Sequence, residues 1–219
     1  MRSDLNSTVH DARINDLMVC KRVHTFEQLL EGYVKLFTGL CDFDVIDGGA
    51  GSGSTGRSIL KYLNLERKVY AYEPFQGNHR FFDPTDERLV LIKKALSDNK
   101  KTMTLNVGSV VGEQSTGRWA GHKGYSSLGL LTTNGGPGSA GHSVSCVPGD
   151  LIDEEYQCNK NIGFIKLDLQ GGELGALKGL ENTLPTTKLL WIEFGVGAQD
   201  VIIDFLLRRN YTLFDTAYL

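Results

Sequence analysis

Short apolar runs alternate with segments of helical period along most of the chain. Phe43, Val45 and Ile46 predict a strand that ends at Asp47; Gly48 to Gly53 is a glycine-rich turn, and Ser54 to Leu63 takes up helical spacing. Lys68 to Pro74 predicts a second strand, stopped by Pro74 and followed by a helix over 75–82. Leu89 to Ile92 predicts a third strand, and Thr102 to Val107 and Val144 to Val147 two more. Asp150 to Tyr156 reads as a short helix. Ile162 to Asp168 is again a strand ending in an acid; Leu174, Leu177, Leu180 and Leu184 share one face of a helix closed by Pro185. Lys188 to Phe194 is a strongly apolar strand, followed by a helix over 201–209 and a last strand over 211–214.

This alternation predicts an α/β class, doubly wound with a mostly parallel sheet. Upstream of it, Thr25-Phe26-Glu27-Gln28 has capping-box spacing, and Phe26, Leu29, Leu30, Tyr33, Phe37 and Leu40 fall on one face of a helix over 25–39. Residues 1–40 are therefore expected to form an N-terminal helical extension. A second departure lies at 108–142, where ten of 35 positions are glycine. A loop of that length is uncommon in a compact domain unless it serves a function. It reads either as an insertion with a hairpin around Ser127 to Leu131, or as a lid carrying Trp119, His122, Tyr125 and His142 toward an acceptor.

Composition narrows the picture without deciding it. The 219 residues fit a single domain over 1–219, and 23 Lys plus Arg against 26 Asp plus Glu leave no basic surplus for nucleic acid. No apolar run reaches the ~18 residues a membrane span needs, and the polar, acid-containing start is not that of a signal peptide. Cys20, Cys41, Cys146 and Cys158 lack zinc spacing and read as thiols of a cytoplasmic protein. The expected partners are a small-molecule or carbohydrate acceptor and, as a further candidate, a second copy of the chain as a homodimer. Nucleic acid and membrane are not expected.

The glycine turn carries two overlapping patterns. Gly51-Ser52-Gly53-Ser54-Thr55-Gly56 satisfies the dinucleotide G-x-G-x-x-G, whereas Asp47 to Gly53 satisfies D-x-G-x-G-x-G, which suits S-adenosyl-L-methionine. Position separates them, because Gly51 stands four residues beyond the strand-ending Asp47, too far for a dinucleotide turn. Charge agrees. A carboxylate about 4 Å from a pyrophosphate costs ~4 kcal/mol at an effective dielectric near 20, about half the ~8 kcal/mol of a micromolar complex. The same carboxylate suits an ammonium and a sulfonium. Glu73, 20 residues after Gly53, is placed to accept hydrogen bonds from ribose hydroxyls. The cofactor-binding residues expected are thus Asp47, Gly49, Gly51, Ser52, Gly53, Glu73, Pro74, Ala95 and Leu96, the last two beside the adenine, with Asp168 at a neighbouring strand end.

Taken together, Val45-Ile46-Asp47-Gly48-Gly49-Ala50-Gly51, Glu73-Pro74, Ala95-Leu96-Ser97-Asp98, the block Phe164 to Glu173 with Leu177-Lys178-Gly179, and Ile192-Glu193 resemble the FkbM-type family of class I methyltransferases. The resemblance spans about residues 43 to 195. It implies a Rossmann-like class I fold, S-adenosylmethionine as cofactor, and O-methylation of a hydroxyl, typically on a sugar or natural product. In one respect the chain departs from that family, which usually has Glu where this sequence has Gln170.

Methyl transfer to a hydroxyl needs alignment and a proton acceptor. Asp168, at the carboxyl end of its strand, is the first candidate, followed by Glu173, with His142 and His122 as histidine alternatives. Asp168, Glu173 and Glu193 are also a candidate oxygen set for Mg²⁺, against the plainer reading that Glu173 caps a helix N-terminus. Lys166 is expected to pair with a neighbouring acid. The rival functions are an NAD-linked oxidoreductase and a non-catalytic cofactor-binding module.

Overall fold

The computed structural model describes residues 40–107, 131–132, 140–151, 161–193 and 199–213. The helix expected over 25–39, the extension before it, and most of the 108–142 segment lie outside these residues. After a 3₁₀ turn at Leu40–Asp42, the order is β1 (Asp44–Gly48), α1 (Ser54–Leu60), β2 (Val69–Tyr72), a 3₁₀ segment (Gln76–Phe81), β3 (Leu89–Ile92), β4 (Ala95–Leu96) and β5 (Lys101–Val107). Then come β6 (Leu131–Thr132), β7 (Ala140–Val147), a 3₁₀ turn (Gly149–Leu151), β8 (Ile162–Asp168), α2 (Glu173–Lys178), a 3₁₀ turn (Leu184–Thr186), β9 (Leu189–Glu193) and α3 (Gln199–Leu207). Among the described residues no helix is long and apolar enough to cross a membrane.

Five strands pair in parallel in the order β3-β2-β1-β8-β9. The alternation of side chains along them builds two cores. Ile46, Tyr70, Tyr72, Ile92, Ile165 and Leu167 face one side, where Leu177, Leu180, Ile202 and Leu206 cover them. Val45, Val69, Ala71, Leu89 and Phe164 face the other, where Ile59 and Leu63 close the layer. The apolar strands are therefore covered on both faces, as the doubly wound reading requires. Strand order reverses between β1 and β8, and at such a switch point the loops leave the sheet in opposite directions and open a crevice at the carboxyl edge.

A second sheet, β4-β7-β5-β6, is mostly antiparallel. The strands expected over 102–107 and 144–147 belong to it rather than to the main sheet. Its small core, Ala95, Leu105, Val144 and Cys146, packs against Phe75, so it is fixed beside the turn that follows β2.

Several expected boundaries shift for physical reasons. The helix over 75–82 is a 3₁₀ segment, and Tyr211–Leu213 is not a strand; the Tyr211 hydroxyl instead donates to Leu184 O at 2.7 Å. The leucine helix ends at Lys178, and Gly179 follows it close against Ser97, whose carbonyl oxygen would lie 1.9 Å from a Cβ there. Pro185 then opens the 3₁₀ turn Leu184–Thr186 rather than closing a longer helix.

Candidate active site at the switch point

The chain leaves β1 through a loop in which Gly49, Gly51 and Gly53 all have positive φ, at 71°, 56° and 76°. Gly49 needs the missing Cβ for space as well, since one would sit 2.0 Å from Asp168 O, whereas Gly51 has nothing within 4 Å of its Cβ direction. The loop thus packs tightly against β8 at one glycine and stands open at the next. Gly51 N donates to Glu73 Oε2 at 2.7 Å and Phe75 N to Oε1 at 2.8 Å, so Glu73 ties the loop to the end of β2. The Glu73 carbonyl accepts a 2.8 Å hydrogen bond from His79 Nε2. Arg57 closes the far side by donating to Ser52 O at 2.8 Å.

Asp47 does not face this opening. It is fully buried, and Lys166 Nζ lies 3.3 Å from its Oδ1. Burial pushes its carboxyl up, and the Lys166 cation opposes that. The carboxylate expected to meet a donor's positive charge has its cation inside the protein. Lys166 also donates to Gly49 O at 3.1 Å and lies 3.7 Å from Asp168 Oδ2. Asp168, at the end of β8, keeps 31% of its side chain exposed and is the acid at the switch point that a ligand can reach.

The turn after Asp168 is wired by Glu173. That side chain is buried; its Oε1 accepts Leu169 N at 2.8 Å, and its two oxygens accept Gly171 N at 3.1 and 3.0 Å. Gln170 is forced to φ 53°, and its Nε2 donates to Asp168 Oδ1 at 2.8 Å. A carboxylate at this position has no proton to donate, so the departure noted in the sequence has a consequence here.

The expected Mg²⁺ set does not assemble. Asp168 and Glu193 are register partners on β8 and β9, and the Asp168 charge raises the Glu193 carboxyl, with burial adding to it. Glu173, however, spends its oxygens on backbone N–H groups, and among the described residues no group of three or more His, Cys, Asp or Glu side chains could hold a metal ion. The same hydrogen bonds make Glu173 a tie for the turn that precedes α2.

The remaining candidates separate. His142 lies in β7, not in a loop; it is exposed, and its ring stacks edge-on against Phe75 with centroids 5.2 Å apart. His122, Trp119 and Tyr125 lie outside the described residues. Pro74 is half-buried next to Glu73. Ala95 and Leu96 place their side chains in the cores, where a Cβ on Gly48 would lie 2.9 Å from Leu96 Cδ1. Lys166 pairs with neighbouring acids as its place in the sequence suggests, with Asp47 as well as Asp168, whereas Gln170 gains a contact that spacing alone did not reveal; the signal available was an amide two residues from Asp168.

The residues present suit a nucleoside-bearing methyl donor. The loop lets a ligand approach the backbone at Gly51, and the carboxylate of Glu73 stands at the next strand end. A family model described as Methyltransferase FkbM domain matches residues 47–213. No curated protein and no solved structure shows significant similarity to the chain.

Proposed function

The chain belongs to the methyltransferase FkbM domain family, and from that premise we propose that it carries a methyl group from S-adenosylmethionine to a hydroxyl of a sugar, a glycan or a small natural product. The family makes the protein a methyltransferase; the donor and the acceptor class are our reading. The observation that carries it is the pairing of an open left-handed glycine loop after β1 with a partly exposed carboxylate, Asp168, across the switch point.

S-adenosylmethionine, when bound, supplies an electrophilic methyl group on a sulfonium. The part of the protein is placement and proton transfer. Gly49 and Gly53 shape the loop, Gly51 leaves room for the ligand, and the buried Glu73 holds the loop at the end of β2, where the ribose of the donor is expected to lie. Lys166 neutralises Asp47, so that Asp168 supplies the negative charge on the accessible side. Asp168 orients the acceptor hydroxyl and takes its proton as the oxygen attacks. Positioning supplies much of the rate, and a base adds ~10²- to 10⁴-fold.

Calorimetry with S-adenosylhomocysteine and with NADH tests the donor: binding of the former alone is expected, and binding of NADH alone overturns the reading. Methyl transfer to a panel of sugars and phenols then tests the acceptor. Cofactor binding without turnover on any of them would favour a non-catalytic module.

A further inference from the structure

Asp168 meets a different group at each of its oxygens, a hydrogen bond at one and an ion pair at the other. Gln170 Nε2 reaches Oδ1 at 2.8 Å, and Lys166 Nζ stands 3.7 Å from Oδ2. The first of these contacts depends on an uncommon backbone. Gln170 has φ 53°, a left-handed conformation that disfavours a residue with a Cβ, and it is followed by Gly171 at φ 104°. The buried Glu173 imposes that shape by drawing in Leu169 N and Gly171 N. With the backbone reversed at this point, the Gln170 side chain runs back toward the strand it has just left and meets Asp168. The turn that closes β8 therefore also delivers a donor to the carboxylate at its end.

We propose that Gln170 is a positioning residue whose amide fixes the orientation of the Asp168 carboxylate toward the acceptor. A carboxylate free to rotate about its last bond presents its lone pairs in many directions. One tied at Oδ1 by a neutral amide and restrained at Oδ2 by an ammonium presents the remaining lone pairs in one. The neutral amide suits the task, because a second carboxylate at the same distance would repel Asp168 and has no proton to give. Charged groups around Asp168 come from three strands: Lys166 on β8, Asp47 on β1 and Glu193 on β9. Gln170 adds a directional bond without adding to that balance.

This inference rests on the methyl-transfer reading only for the statement that Asp168 faces an acceptor; the bond itself is testable without turnover. The full chain, labelled with ¹⁵N-glutamine and saturated with S-adenosylhomocysteine, is expected to show a Gln170 side-chain amide with one proton shifted downfield and slowed in exchange, identified by its loss in Gln170→Glu. Asp168→Ala should return that signal to the position of a free amide. A Gln170 amide that looks free in the unmutated protein, or one indifferent to Asp168→Ala, overturns the proposal. On whichever sugar or phenol the unmutated enzyme methylates, Gln170→Leu and Gln170→Glu should lower kcat by about 10²-fold while leaving the calorimetric affinity for S-adenosylhomocysteine unchanged. Equal losses in cofactor affinity and kcat would instead mark Gln170 as a structural part of the turn, against the proposal. Failure of the unmutated protein to bind S-adenosylhomocysteine would sink the donor reading, and the amide signal, read then without ligand, still decides the role of Gln170.

Discussion

Lys166 Nζ stands 3.3 Å from Oδ1 of Asp47, a carboxylate with no exposed surface. One ammonium thus compensates a charge that water cannot reach, and the same ammonium touches the Gly49 carbonyl and Asp168. Removing it strands Asp47. Lys166→Met is expected to destabilise the protein by about 3–5 kcal/mol in urea unfolding, while Lys166→Met with Asp47→Asn regains most of the loss. A double variant no more stable than the single one would show that the pair is not the source of the effect.

Glu173 gives a second prediction, because its buried carboxylate accepts backbone N–H groups of Leu169 and Gly171. Glu173→Ala leaves both donors without their acceptor, at ~1–3 kcal/mol for each that stays buried. The expected outcome in chemical denaturation is a loss of stability together with loss of methyl transfer. Wild-type stability in Glu173→Ala, with activity alone abolished, would return Glu173 to the role of a base.

The sequence made the sheet legible because β1, β2, β3, β8 and β9 are short apolar runs bounded by turn chemistry, and both of their faces are covered. It assigned β5 and β7 to strands but not to their own sheet, since strand period says nothing about which partner a strand pairs with. The site was legible as a set of strand-end acids and glycines, and illegible in who pairs with whom. Spacing gives Asp47 its place on β1 but not its cation, which comes from Lys166 on a strand more than a hundred residues later. Gln170 stands out in the sequence only as a departure from the resembling family, because nothing local signals the left-handed turn that brings its amide to Asp168.

Burial raises the Glu73 carboxyl above its ordinary 4.5, with hydrogen bonds from Phe75 and Gly51 opposing it and the Asp47 charge adding to it. The folded state then holds this proton more tightly than the unfolded chain does. The contribution of Glu73 to stability is therefore fully present below the ordinary value and is lost as pH rises through the raised one. Glu73→Gln sacrifices one acceptor at every pH, so the slope is the readout. From about pH 4 to about pH 8 the melting temperature of the variant should gain on that of the unmutated protein. Parallel curves across the whole range would contradict the assignment.

Gly49 and Gly51 share a left-handed backbone but differ in what surrounds them, and the difference separates folding from binding. A Cβ at Gly49 would meet the backbone oxygen of Asp168 at 2.0 Å, so it has no room without moving β1 or β8. Gly49→Ala is expected to fold poorly or not at all. A Cβ at Gly51 meets nothing within 4 Å, and Gly51→Ala carries only the left-handed backbone cost of ~1–2 kcal/mol. If the open space above Gly51 is where the donor's nucleoside approaches the chain, that methyl group occupies the ligand's position. Gly51→Ala should then remain folded by circular dichroism and lose calorimetric affinity for S-adenosylhomocysteine by much more than its loss of stability implies. Unaltered affinity in a folded Gly51→Ala protein would place the donor elsewhere on the sheet edge, and the glycine loop would then serve only to pack β1 against β8.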